Sequence, residues 1–137
     1  MTVSDELKAK REALIRAHID GETNMDAGAV LATLSEDATY ELPTLGRVFR
    51  GHAEIRTFLE AVFEVLPGTV HQADRIYHAD DAVIVETLTE VPGLPELFRG
   101  IAIFPFDGER SMGERLFADM SPIVARLDFI AANEDHG

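Results

Sequence analysis

Residues 35–59 read SEDATYELPTLGRVFRGHAEIRTFL, and within them the spacing of apolar positions changes from extended to helical. As a strand, residues 38–42 alternate between two faces, which puts Ala38, Tyr40 and Leu42 together and Thr39 and Glu41 opposite. From Ile55 onward the period is helical: Ile55, Phe58, Leu59, Val62, Phe63 and Leu66 form one stripe, and Pro67-Gly68 stops it. The hook PTLGRVFRG between them is irregular, with one short extended piece. Tyr40 carries the functional question. Between apolar neighbours it is either plain core or a phenol presented to a pocket.

Towards the N-terminus, Ser4 caps a helix on which Leu7, Leu14, Ile15, His18 and Ile19 recur, and DGETN ends it. A shorter helix follows from Asn24 or Asp26, with Val30, Leu31 and Leu34 on one face. Towards the C-terminus the period is that of strands, near 69–78, 82–91, 97–106 and 110–119. Asp80-Asp81, PGLPE and the hairpin signal Asp107-Gly108 separate them. Ser121-Pro122 opens a short last helix with Ile123, Val124 and Leu127, and residues 132–137 read as a frayed tail. This order predicts an α+β fold. A curved antiparallel sheet holds the three helices of the N-terminal half in its concave face, one domain spans residues 1–137, and a pocket lies between helices and sheet.

Composition narrows the functions. With 25 acidic against 12 basic residues the net charge is −13, which disfavours nucleic acid and anionic membranes as partners. No run approaches the roughly 18 apolar residues of a membrane span, and the charged start MTVSDELKAKREAL lacks a signal-peptide core. Cysteine is absent. A soluble cytoplasmic protein is the expectation. His18, His52, His71, His78 and His136 show no metal-binding spacing, and no P-loop, dinucleotide or G-x-S-x-G motif occurs. Neither a metal nor a cofactor is expected.

LSEDATYELP, FRGHAEIRTFL and DGERSMGERLFADMSPIVARL together resemble the pattern of SnoaL-like proteins in the nuclear transport factor 2-like superfamily, in order along nearly the whole chain. The resemblance implies a cone-like fold with a deep pocket, usually dimeric through the outer sheet face. It also implies a choice among polyketide cyclases, ketosteroid isomerases, limonene epoxide hydrolases, dehydratases and binding modules. It places Tyr40 on the pocket face. It also exposes departures: Leu42 stands where the isomerases carry their general-base aspartate, and Leu116 where cyclases and epoxide hydrolases carry an aspartate. Ile101 stands near the cyclase histidine, and Thr87 and Thr89 near the epoxide hydrolase Arg and Asp.

The remaining candidates for chemistry are Tyr40, to orient a substrate oxygen, and His71 or Glu114, to move the proton. Leu42, Phe58, Val62, Ile101 and Leu116 are expected to line the pocket. Asp119 reads as a cap of the last helix and Arg99 as a surface residue. The expected function is cofactor-independent proton-transfer chemistry, of the isomerase, cyclase, dehydratase (lyase) or hydrolase kind, on an apolar molecule, polycyclic ones included. A homodimer with a small-molecule partner fits this reading. A non-catalytic ligand-binding module and a dimeric scaffold stay open beside it. With Leu42 at the base position and Ala102 near the donor position, efficient ketosteroid isomerisation is not expected.

Overall fold

The computed structural model describes residues 3–127. The N-terminal half begins with α1 (Asp5–Thr23) and α2 (Ala27–Ala32). Ser4 Oγ accepts from the Leu7 N–H at 3.1 Å, and Asp26 Oδ1 accepts from the Ala29 N–H at 3.0 Å, so each helix starts on a side-chain cap. The two pack closely because Gly21 has no side chain: a Cβ there would come within 2.9 Å of Val30 Cγ2. Strand β1 (Thr39–Leu42), a 3-10 turn over Pro43–Leu45, strand β2 (Arg47–Arg50) and α3 (Gly51–Val65) complete this half. Strands β3 (Val70–His78), β4 (Ala82–Glu90), β5 (Phe98–Asp107), β6 (Arg110–Ser111) and β7 (Gly113–Ala118) follow.

The strands form one curved, unclosed sheet in the order β2-β1-β7-β5-β4-β3, with β6 paired to β5 beside that path. Its consecutive partners β3–β4, β4–β5 and β5–β7 are antiparallel, as the turn residues predict. One pairing differs from an all-antiparallel sheet: β1 lies parallel to β7, with Tyr40 opposite Glu114. Parallel neighbours need a long crossover, and here everything from β2 to β6 supplies it. The predicted strand over 110–119 is divided at Met112. Gly113 follows with φ 124°, and a Cβ at that position would fall on the Thr39 carbonyl oxygen.

Two apolar clusters fill the concave side. In one, Ile15 and Ile19 of α1 meet Val83, Val85, Ala102, Phe104 and Phe106 of the sheet. In the other, α2, α3 and β1 meet the C-terminal segment through residues such as Val30, Ile55, Leu59, Leu42, Met120 and Leu127. The α3 stripe is turned inward, with Phe58 only 8% exposed and stacked on Phe49 at 4.4 Å between ring centroids, and Phe63 half-buried.

The expected last helix is a 3-10 turn over Val124–Leu127. Ile123 and Leu127 are buried but Val124 is exposed. The turn is too short to bury all three apolar positions, and Ile123 and Leu127 take the inward places. Asp119 Oδ1 accepts the Ser121 N–H at 3.0 Å at the entry to this segment, and the bond holds its carboxyl below the usual value. The tail over 132–137 lies outside the described residues.

Candidate active site

Between helices and sheet lies a cavity of about 120 Å³. Its walls are mostly apolar and aromatic, and at one place polar groups converge. Helix periodicity puts His18 and Glu22 one turn apart on the inner face of α1. The alternation of β1 turns Tyr40 inward, and the parallel pairing of β1 with β7 lays Glu114 beside it. His18 is 1% exposed, Tyr40 4% and Glu114 7%, whereas Glu22, with 17% of its side chain exposed, reaches towards solvent. Glu22, Tyr40 and Glu114 border the cavity, and His18 stands behind them.

Hydrogen-bond accounting fixes the imidazole. The Thr33 hydroxyl donates its single proton to the Val30 carbonyl at 2.6 Å, so towards His18 Nδ1, 3.3 Å away, it acts as acceptor. Nδ1 therefore carries a hydrogen, and Nε2 is left to face the site. Nε2 lies 2.6 Å from the Tyr40 hydroxyl, 3.1 Å from Glu114 Oε1 and 3.5 Å from Glu22 Oε1. Tyr40 Oη also lies 3.3 Å from Glu22 Oε2.

The phenol has one proton, which allows two arrangements. Either protonated His18 donates to Tyr40 and Tyr40 donates to Glu22, or protonated Glu22 donates to Tyr40 and Tyr40 donates to neutral His18. The two contain the same number of protons. Interconversion moves one proton across the phenol.

The electrostatics agree with a shared proton. Burial pushes His18 down, but the charge of Glu22 and the close approach and charge of Glu114 outweigh it, and the imidazole stands above its ordinary value. Burial holds the Glu22 carboxyl above its usual range, with the His18 charge opposing and the Glu114 charge reinforcing. Burial and the two carboxylates push Tyr40 well above an ordinary phenol, so it stays protonated and serves as a donor. Glu114 Oε1 is buried without a hydrogen-bond partner, because its approach to Nε2 is close in distance but not aligned. His18, Glu22 and Glu114 are also the one group among the described residues whose ligand atoms, all within 4.8 Å of one another, could hold a metal ion. The spacing of histidines gave no sign of this, since one ligand comes from β7.

Of the residues singled out from sequence, Tyr40, His71, Glu114, Leu42, Phe58, Val62 and Leu116 all border the cavity. His71 borders the cavity outside the His18–Glu22–Glu114 group, near enough for its charge to act on Glu22. Its backbone is fastened to the end of α1 by bonds with Thr23 Oγ1 at 3.0 and 3.4 Å. Ile101 is a correction: it is 45% exposed and lies on the outer face of β5, beside Arg99, Gly100 and Phe117, while its neighbour Ala102 faces the cavity. Both faces of β5 carry apolar residues, so alternation could not choose between them. His18 and Glu22 belong to the cluster but not to the candidates read from the sequence. The available signal was a histidine inside the apolar stripe of Ile15 and Ile19 with a glutamate four residues on.

The fold is of the cone-shaped α+β class, with an apolar cavity that carries one polar cluster at its edge. The SnoaL-like domain family matches residues 15–112, and the chain belongs to that family. Among solved structures, TerC co-crystallised with polyporic acid is similar at TM-score 0.75 and 20% identity, over 87% of this chain and 98% of that one. A protein of ketosteroid isomerase-like fold from Catenulispora acidiphila, in complex with trimethylamine, is similar at TM-score 0.71 and 17% identity, over 82% and 90%. A nuclear transport factor 2-like protein of unknown function from Burkholderia pseudomallei gives TM-score 0.74 and 18% identity, over 85% and 95%. At these identities the likeness shows the fold. Comparison with curated proteins gives no match. No helix among the described residues is long and apolar enough to cross a membrane.

Proposed function

We propose that the chain, acting as one unit over residues 1–137 and as a homodimer in the cytoplasm, catalyses proton transfer on a small molecule held in this cavity. One observation carries the reading: two carboxylates, a phenol and an imidazole meet within hydrogen-bonding reach at the edge of an otherwise apolar cavity. In the simplest step the Glu114 carboxylate lifts a proton from a carbon next to a substrate carbonyl. Tyr40 donates its hydrogen bond to the carbonyl oxygen as charge develops there. Protonated His18 stands behind the phenol and returns a hydrogen bond to it, and the proton on Glu114 is delivered back to a different carbon. No group outside the chain is needed for the proton balance.

Relatives of this fold that hold trimethylamine or polyporic acid support a pocket that takes small molecules. A cavity of about 120 Å³ suits a single small ring rather than a polycycle, since a dry cavity of roughly 150 Å³ accommodates benzene.

Cyclohexanone in D2O tests the reading, because exchange of its α-hydrogens reports enolisation by NMR. Exchange above the buffer rate, lost about 100-fold in Glu114→Gln and in Tyr40→Phe, is expected. Binding of the ketone with exchange at the buffer rate would favour the non-catalytic binding module.

A further inference from the structure

The cavity has an imbalance of charge that the proton-transfer reading does not use. Its border contains two carboxylates, Glu22 and Glu114, one imidazole, His71, and among the described residues no lysine or arginine. The imidazole of His18, in reach of both carboxylates, can supply one positive charge, so the group of His18, Glu22 and Glu114 is negative whenever both carboxylates are ionised, with His71 at the same border acting on Glu22. Buried unpaired charge is unfavourable, and something positive stabilises it.

A second observation says where that positive group would sit. Glu114 Oε1 is buried, borders the cavity and has no hydrogen-bond donor. A third says what the rest of the ligand would be. Phe58, Phe63, Phe98, Phe104 and Tyr40 line the same space, and aromatic faces attract a cation that carries apolar substituents. The phenol, 2.6 Å from Nε2, already occupies the approach to the imidazole that a metal ion would need, which favours an organic cation over a metal.

We infer that the ligand of this cavity is a small protonated amine, its N–H donated to Glu114 Oε1 and its carbon groups packed against the aromatic wall. The chain's net charge of −13 works in the same direction, drawing cations towards the mouth and repelling carboxylates and phosphates. The inference rests on the reading of this cavity as a ligand site and narrows it to one chemical class. It makes a bound amine, rather than a lysine or an arginine of the chain, the counter-charge of Glu114.

Three probes of one size separate the alternatives: n-butylammonium, 1-butanol and butyrate, titrated separately into the protein and followed by amide chemical shifts. Butylammonium is expected to bind at least about 10-fold more tightly than butanol, a difference of about 1.4 kcal/mol, and butyrate to leave the cavity resonances unmoved. In Glu114→Gln the advantage of the amine is expected to fall below about 3-fold while the affinity for butanol is kept. Should that variant not fold, Glu22→Gln is expected to reduce the same advantage. Equal or weaker binding of the amine than of butanol overturns the inference and leaves the pocket standing. Binding of none of the three overturns the pocket reading with it. Stoichiometric Zn²⁺ binding that abolishes the amine preference, and is itself lost in Glu114→Gln, would assign the cluster to a metal and overturn the organic cation.

Discussion

Helix α1 buries two side chains that water would normally hold, Arg11 and His18, two turns apart on one face and 2% and 1% exposed. Arg11 is held by fixed groups. Its Nε donates to the Gly108 carbonyl at 3.0 Å, and Nη1 donates to Asp80 and Ala79 carbonyls at 3.0 and 3.4 Å, with the guanidinium over the Phe106 ring. Those carbonyls belong to the β3–β4 and β5–β6 turns, so the residue fastens two hairpin ends to the helix. His18 meets Thr33, Tyr40, Glu22 and Glu114 instead, and three of these four partners can themselves gain or lose a proton. Burial alone thus does not separate a structural polar residue from a chemical one. The partners do: backbone dipoles hold a charge still, whereas titratable neighbours let it move.

The largest effect is expected from removing the strand pairing that builds the His18 side. Gly113→Ala would drive a Cβ onto the Thr39 carbonyl at φ 124°, separating β7 from β1 and Glu114 from Tyr40. A loss of about 4 kcal/mol in urea unfolding is expected. A variant as stable as the parent would show that the β1–β7 pairing does not depend on this glycine.

Next in size is the Arg11 side. Arg11→Met strands three carbonyl acceptors and should cost about 3 kcal/mol. Because none of its partners touches the cavity, the folded protein should bind cavity ligands as before. Denaturation and ligand titration on the same sample check both halves, and altered ligand affinity would deny the separation of roles.

The response to pH distinguishes the two residues more finely. His18 and Glu22 both have folded-state values raised above the ordinary 6.5 and 4.5, so the folded cluster binds more protons than the unfolded chain. Its stabilising contribution is complete below the unfolded values and is lost as pH rises through the raised ones. Melting temperature should therefore fall as pH rises from about 4.5 towards and past neutrality. Glu22→Gln should flatten that fall and Arg11→Met should leave its slope unchanged. Asp37 and Asp119, both held below 3.8, act with the opposite sign and only in more acid solution. An equal slope in Glu22→Gln would remove the shared proton from the account.

The smallest expected change in stability is that of Tyr40→Phe. It deletes one hydroxyl from the cluster and should cost only about 1 kcal/mol, while the proposed exchange of ketone α-hydrogens should drop far more. If the variant unfolded instead, the phenol would belong with Arg11 as a structural group.

Local physics made much of this legible from the chain alone. The helical stripe from Ile55 to Leu66, the alternation through Tyr40 and Leu42, and the Asp107-Gly108 turn each depend on neighbours a few residues away, and the elements formed where those periods predict. Even the inward faces of Tyr40, Glu114 and Leu116 follow from a period of two. Ile101 did not follow, because β5 is apolar on both sides and only its pairing with β4 and β7 decides which side meets the helices. His18 and Glu22 were visible as a pair one helical turn apart, yet nothing near them in sequence makes that pair chemical. Their other partners, Tyr40 and Glu114, arrive from β1 and β7, strands set side by side only by a long parallel crossover. The sequence by itself determined the helices, the turns and the alternation of the strands, since those rest on short-range spacing. The proton-sharing cluster was decided by the tertiary structure, since hydrogen bonds act over about 3 Å in space without regard to separation along the chain.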